Sequence, residues 1–204
     1  MVLDTYKKIE CHVFEQLLNY ESTEFPFISP RVAGDSVQQW VSDILKEYFQ
    51  KRDIEFTPSE KLGRVSMADC IANVRDENHF IDIKTHCKSG TFSAPNLVSI
   101  KRLYKFLTAS PKNYFDILVV DYVISGNQIR FDNVHFVPID AINWSCMRIG
   151  NIGNGQIQLK DASVIIAQQI KRSDWLETMR ANIAAFYIKQ QNKIRKEFKF
   201  YGLD

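Results

Sequence analysis

Apolar residues recur three and four positions apart in four stretches of the chain, which is the spacing of one helix face. We predict helices over 3–20, from Pro30 to about Gln50, over Pro95–Leu107 and over Asp174–Phe198. The second is the best bounded, because Ser29 can cap it and Pro30 suits its first position. Ser173 is the predicted cap of the last helix.

Runs rich in β-branched and aromatic residues lie between these helices and predict strands. They cover about 65–73, 79–86, 115–124, 129–137, 157–159 and 163–167. A polar stretch, 75–78, suits a hairpin turn between the first two, and Gly126-Asn127 suits one between the next two. The expected fold class is therefore α/β (or α+β), a central mixed β-sheet flanked by helices.

Composition narrows the class of protein only a little. With 204 residues, 45% of them hydrophobic, the chain can form a single domain, 1–204, with a sizeable core. A net charge of +2 neither requires nor excludes a nucleic-acid partner. The four cysteines show no zinc spacing, and no apolar run is long enough to be a signal peptide or membrane span. We expect a cytoplasmic protein without a membrane partner.

Candidate chemistry is concentrated in the strand at 79–86. Its alternation points Asp82 and Lys84 to the same face, roughly 7 Å apart along the strand. Asp69 lies in the preceding strand, where hairpin pairing can bring it beside Asp82. Two carboxylates this close repel each other unless a cation lies between them. Oxygen ligands with room for water suit Mg²⁺, and the backbone carbonyl of Ile83 can serve as a third ligand.

These groups are the ones that phosphodiester hydrolysis needs. A cation at the two carboxylates would polarise the phosphate, and Lys84 would orient water or stabilise developing charge. The acidic-x-Lys triplet by itself carries little weight, since it also occurs at Glu197–Lys199 in a charged helix. The alternative is that Asp82 and Lys84 form the solvated face of a surface strand.

The stretches 66–69 and 80–85 resemble the motif of the PD-(D/E)xK nuclease superfamily, in particular Type II restriction endonucleases of the EcoRV-like branch. The order helix–hairpin–helix extends the resemblance to a catalytic core of about 30–124. It implies a Mg²⁺-dependent, sequence-specific endonuclease for double-stranded DNA, acting as a homodimer beside a companion methyltransferase. In such an enzyme Asp69 and Asp82 bind Mg²⁺, and Lys84 assists the attacking water.

Two positions depart from the family pattern. Ala68 stands where a proline usually precedes the first aspartate, which removes no chemical group. The family also often has a glutamate on its first core helix, and Gln38 lies on the margin of the apolar face there. Gln38 can hold a water molecule in that place, or it is an ordinary boundary glutamine. Asp35 is a weaker alternative.

Six lysines and arginines but no acids lie between Ile83 and Phe115, a distribution that favours phosphate contacts. The candidate DNA-binding residues are Lys88, Ser89, Asn96, Lys101 and Arg102. Asn96 is included because it is predicted at a helix start, where amides attract phosphate. The alternative is an ordinary solvated helix face.

Two further segments carry weaker candidates. The segment 150–156 offers Asn151, Asn154 and Gln156 for reading base edges, or it is a plain turn. The basic last helix can supply a second DNA surface or a dimer contact. Two other functions share these features: a structure-specific repair or recombination nuclease of the same superfamily, and a DNA-binding module without catalysis.

Overall fold

The computed structural model describes residues 3–24, 29–63, 66–89, 95–151, 155–160 and 165–203. In these residues the helices are α1 (Leu3–Leu17), α2 (Pro30–Gln50), α3 (Ile100–Ala109) and α4 (Arg172–Phe200). The strands are β1 (Glu55–Thr57), β2 (Cys70–Val74), β3 (Glu77–Cys87), β4 (Asn96–Ser99), β5 (Asn113–Ser125), β6 (Gln128–Pro138), β7 (Met147–Gly150) and β8 (Gln156–Leu159).

The central sheet has five strands in the order β1-β2-β3-β5-β6. β3 and β5 run parallel, joined by the crossover through β4 and α3, and the other neighbours run antiparallel. A second, antiparallel sheet has the order β4-β8-β7. The predicted mixed central sheet flanked by helices is therefore confirmed.

Two hydrophobic cores lie on opposite faces of the central sheet. The first core joins α1 and α2 to one face, and the second joins α3, α4 and the small sheet to the other. Because side chains alternate along a strand, β3 contributes to both. Its Ile81 and Ile83 lie in the first core, whereas Phe80 packs against the second.

Local sequence accounts for α2 and for both hairpins. The Ser29 hydroxyl accepts a hydrogen bond from the Val32 amide, and the helix ends at Gln50 as predicted. The turn between β2 and β3 consists of two residues, Arg75 and Asp76, both at positive φ, as a tight type I′ turn requires. Gly126, also at positive φ, opens the predicted turn between β5 and β6.

The predicted helix from Pro95 is wrong in its first turn. Residues Asn96–Ser99 form β4, which pairs with β8, and α3 begins only at Ile100. Leu97 and Val98 are adjacent and both buried, a pattern that a strand covered on both faces allows. Asn96 therefore lies on a strand and not at a helix start.

Three other predicted boundaries differ. β2 begins at Cys70 rather than near 65, and β1 was not predicted at all. α4 begins at Arg172, so Ser173 lies inside its first turn and its hydroxyl donates to Asp174 instead of capping the helix. Of the segment 163–167, residues 163 and 164 lie outside the described residues, and Ala167 forms a single bridge with Ile142.

No helix in the described ranges is long and apolar enough to cross a membrane.

Candidate active site

Asp69 stands directly before β2, at the point where the hairpin opens. The register pairs Cys70 with Ile81, so the hairpin brings the neighbouring residues Asp69 and Asp82 close together, and the Asp69 charge acts on Asp82. Two hydrogen bonds hold Asp69 there. Its amide donates to the Ile81 carbonyl at 2.9 Å, and its Oδ2 accepts from the Ile83 amide at 2.7 Å.

Asp82 is a buried carboxylate, only 4% exposed, on the β3 face toward the second core. The Lys84 ammonium lies on the same face, as predicted, and donates to Asp82 Oδ1 at 2.8 Å. Oδ2 is also buried, and it has no hydrogen-bond partner among the described residues. Burial raises the pKa of Asp82 to about 7; Lys84 acts to lower that pKa, and the Asp69 charge raises it further.

This arrangement fits a hard cation. A buried carboxylate oxygen without a partner is unfavourable unless something else binds it. The amide and carbonyl of one strand residue point to the same edge, so the Ile83 carbonyl points toward Asp69, as its amide does. Within the described chain no third His, Cys, Asp or Glu completes a metal-ligating group with the two aspartates. The donors present are two carboxylates and one carbonyl.

Asp69 lies between two clefts. The front cleft, of roughly 200 Å³, is lined by Ser66, Met67, Ala68, Asp69, Asp82, Leu97, Val98, Ser99, Arg102 and Gln156. The rear cleft, also of roughly 200 Å³, is lined by Asp35, Gln38, Gln39, Ser42, Asp69 and Ile83. α2 therefore brings Gln38, which is half-buried, to the same cleft as Asp69 and Ile83. The alternative, Asp35, lies at the same cleft and is exposed.

The five candidate DNA-binding residues lie in different places. Arg102 in α3 reaches the front cleft, and the neighbouring Lys101 is exposed on the same helix. Lys88, Ser89 and Asn96 make the following contacts within the chain. Lys88 pairs with Asp132, the Ser89 hydroxyl accepts from the Ile124 amide, and Asn96 Oδ1 accepts from Gln158 at 2.6 Å.

Three polar residues at the front cleft were not predicted as part of the catalytic site. Ser66 belongs to the motif segment itself, but Ser99 was hidden by the mistaken helix prediction. The sequence predicts Gln156 only as a base-reading candidate, and β8 brings it to the front cleft with the two aspartates. The other two residues of that set differ: Asn151 accepts a hydrogen bond from Gln190, and Asn154 lies outside the described residues.

Comparison with known proteins adds little to this geometry. No protein-family model matches the chain, and no curated protein matches it. Among solved structures the chain is similar to the NlaIV restriction endonuclease, with 14% sequence identity and a TM-score of 0.49. That alignment covers 92% of this chain and 88% of the other.

Proposed function

We propose that this protein is a Mg²⁺-dependent nuclease that hydrolyses phosphodiester bonds in double-stranded DNA. Within that class we favour a sequence-specific Type II restriction endonuclease of the PD-(D/E)xK superfamily, EcoRV-like branch. The observation that carries the proposal is Asp82: it is buried, faces Asp69, is bonded to Lys84, and leaves Oδ2 without a described partner. An open cleft gives a substrate access to this group.

Each site residue has a role in this proposal. Asp69 and Asp82 would hold Mg²⁺, with the Ile83 carbonyl as a further ligand. When bound, the ion would polarise the scissile phosphate and make water more acidic. The Lys84 ammonium can donate to the attacking water or to a phosphate oxygen, where negative charge develops. Arg102, at the front cleft, is placed to contact phosphate.

Sequence specificity and assembly belong to the proposal as well. Gln156 lies at the front cleft, and an amide side chain suits the base edges of adenine. A homodimer would match a palindromic site and cut each strand once. A companion methyltransferase would then protect the DNA of the same cell.

Digestion of a sequenced plasmid tests the proposal. We expect discrete fragments with Mg²⁺, none with EDTA, and ends that run-off sequencing maps to one short sequence. Lys84→Ala should lower the cleavage rate by about 100-fold or more and leave duplex affinity largely unchanged. The matched control is Lys46→Ala, an exposed lysine on α2, which should cleave as the wild type does.

Two outcomes favour the rival functions. Cleavage of branched DNA without cleavage of linear plasmid indicates a structure-specific repair nuclease. If duplex DNA binds but is never nicked, and Lys84→Ala behaves as the wild type in every assay, the protein is a binding module and the proposal is wrong.

A further inference from the structure

The C-terminal half of α4 extends away from the rest of the protein. The last buried residue of α4 is Phe186, and we call the following residues, 187–203, the arm. Seven of the eleven exposed large hydrophobic residues in the described chain lie on it: Tyr187, Ile188, Ile194, Phe198, Phe200, Tyr201 and Leu203. Such a concentration of exposed apolar side chains is typical of an interaction surface.

Most of the large apolar side chains of the arm form one narrow stripe. Tyr187, Ile194 and Tyr201 are seven residues apart, and at about 100° per residue Phe198 falls within about 60° of them. A seven-residue repeat with a narrow stripe is typical of packing against another helix, whereas a membrane-surface helix has a broader apolar face. Lysines occupy the other sides of the arm, at 189, 193, 196 and 199. DNA would meet those lysines and leave the stripe uncovered.

A groove begins where the stripe begins. It lies between α3 and α4, has a volume of about 390 Å³, and is lined by Ile100, Lys101, Tyr104, Arg180, Ile183, Ala184 and Tyr187. Its walls are mainly apolar, and Lys101 and Arg180 supply its positive charges. Ile183 and Tyr187 belong to the groove and also continue the stripe, so groove and stripe form one surface.

We propose that this surface binds a second copy of the same chain, with the two arms antiparallel about a twofold axis near Gln190 and Gln191. That register lays the arm of one protomer into the groove of its partner. It pairs position 187 with 194, 183 with 198 and 180 with 201 across the axis, so every stripe residue meets the partner's stripe or groove. A twofold interface requires such self-complementarity.

Charge and area are consistent with this partner. Glu197 is the one acid in 178–203, and in this register it lies at the axial level of the partner's groove, whose charges, Lys101 and Arg180, are positive. The stripe side chains from 187 onward are about half exposed or more. Aromatic side chains bury about 150–250 Å² each. Covering both stripes therefore removes on the order of 1,000 Å² of surface, about what a specific dimer needs.

This inference rests on the homodimer part of the proposed function. Its test uses no DNA, so a failure of the dimer inference can be distinguished from a failure of the proposed nuclease activity. Sedimentation velocity of the full chain should show a concentration-dependent dimer. Ile194→Glu puts a charge on the stripe and should raise the dissociation constant about 100-fold or more. Ile188→Glu is the matched control: Ile188 is 58% exposed against 50% for Ile194, but it points away from the stripe. It should dimerise like the wild type.

Cross-linking tests the register. In a Cys11→Ser background, which removes the exposed native thiol, Gln191→Cys should form a disulfide-linked dimer when oxidised with diamide. Lys189→Cys, on the opposite side of the arm, should stay monomeric on a denaturing gel.

Three results overturn the inference. The first would be a wild type that is monomeric at tens of micromolar. The second would be an Ile188→Glu variant whose dimer dissociates as strongly as that of Ile194→Glu. The third would be cross-linking of Lys189→Cys without cross-linking of Gln191→Cys. If a monomeric wild type binds phosphatidylserine vesicles or duplex DNA, and Ile194→Glu abolishes that binding, the surface serves that partner instead.

Discussion

The charged form of Asp82 destabilises the folded protein. Its carboxylate is buried, faces a second carboxylate at Asp69, and has a single cation, Lys84, on one oxygen. Groups held in such unfavourable surroundings are concentrated at functional sites, because chemistry requires them there. Removing the charge should therefore stabilise the fold while it removes the proposed activity.

We predict that Asp82→Asn raises the thermal stability of the metal-free protein. The folded pKa is about 7, against an ordinary value of 3.8, so the folded state keeps a proton that the unfolded state loses. Wild-type stability is then lost as pH rises from about 4 to 7, and it stays lost above 7. In EDTA the variant should gain on the order of 1–3 kcal/mol at pH 8, a few degrees in Tm, and less at pH 5.

The control for this prediction is Asp43→Asn at an exposed aspartate on α2, which removes a solvated and not a buried carboxylate and should not raise Tm. A variant at Asp82 that is no more stable than the wild type at pH 8 would show that the buried charge is compensated in some other way.

Gln38 allows a second prediction about a single residue. It lies at the rear cleft with Asp69 and Ile83, where its amide can hold a water molecule near the carboxylates. Gln38→Ala should lower the rate of DNA cleavage by about 10-fold with little change in duplex affinity. Gln38→Glu should cleave at about the wild-type rate. It should also lower the Mg²⁺ concentration that cleavage needs, because it adds a carboxylate. Gln50→Ala, exposed at the end of α2, is the control. Full activity in Gln38→Ala would make Gln38 an ordinary boundary residue.

At the scale of elements, the β2–β3 hairpin sets the distance between the two aspartates, and its turn is not optimal. Asp76 has a φ of 64°, which a glycine adopts without strain. Asp76→Gly should raise the free energy of unfolding by about 0.5–1 kcal/mol, measured by urea denaturation. Asn127→Gly, in the other two-residue turn, should not stabilise, because Asn127 does not adopt a positive φ. Equal gains in both variants would contradict the argument from backbone conformation.

How far the sequence predicts these elements depends on how local their causes are. The cap at Ser29, the two turns and the alternation of β3 are local, so α2 and the relative positions of Asp82 and Lys84 were predicted. β4 is not local. Its Leu97 and Val98 continue the apolar spacing of α3, and only pairing with β8, some sixty residues later, makes them a strand. Ser99 and Gln156 were therefore missed at the catalytic site.

At the scale of the whole molecule, the candidate site lies where the two cores meet. β3 and β5 are central strands whose opposite faces belong to different cores, and Asp69 is reached from a cleft on either side. The position of each aspartate therefore depends on packing against both faces of the sheet. We propose that the chain, 1–204, is a single domain, because both cores share these strands.

We predict that the chain unfolds in one cooperative transition. Trp40 packs against the first core, and Trp144 and Trp175 belong to the second, so tryptophan fluorescence can report on each core separately. Trp40→Phe leaves probes only in the second core, and the double variant Trp144→Phe with Trp175→Phe leaves one only in the first. Within each variant the urea midpoints from fluorescence and from far-ultraviolet circular dichroism should coincide. Because every comparison is made within one variant, lost stability from the replaced tryptophans does not affect it. Two separate midpoints in either variant would show that the cores fold as independent units, and that the active site between them can open without global unfolding.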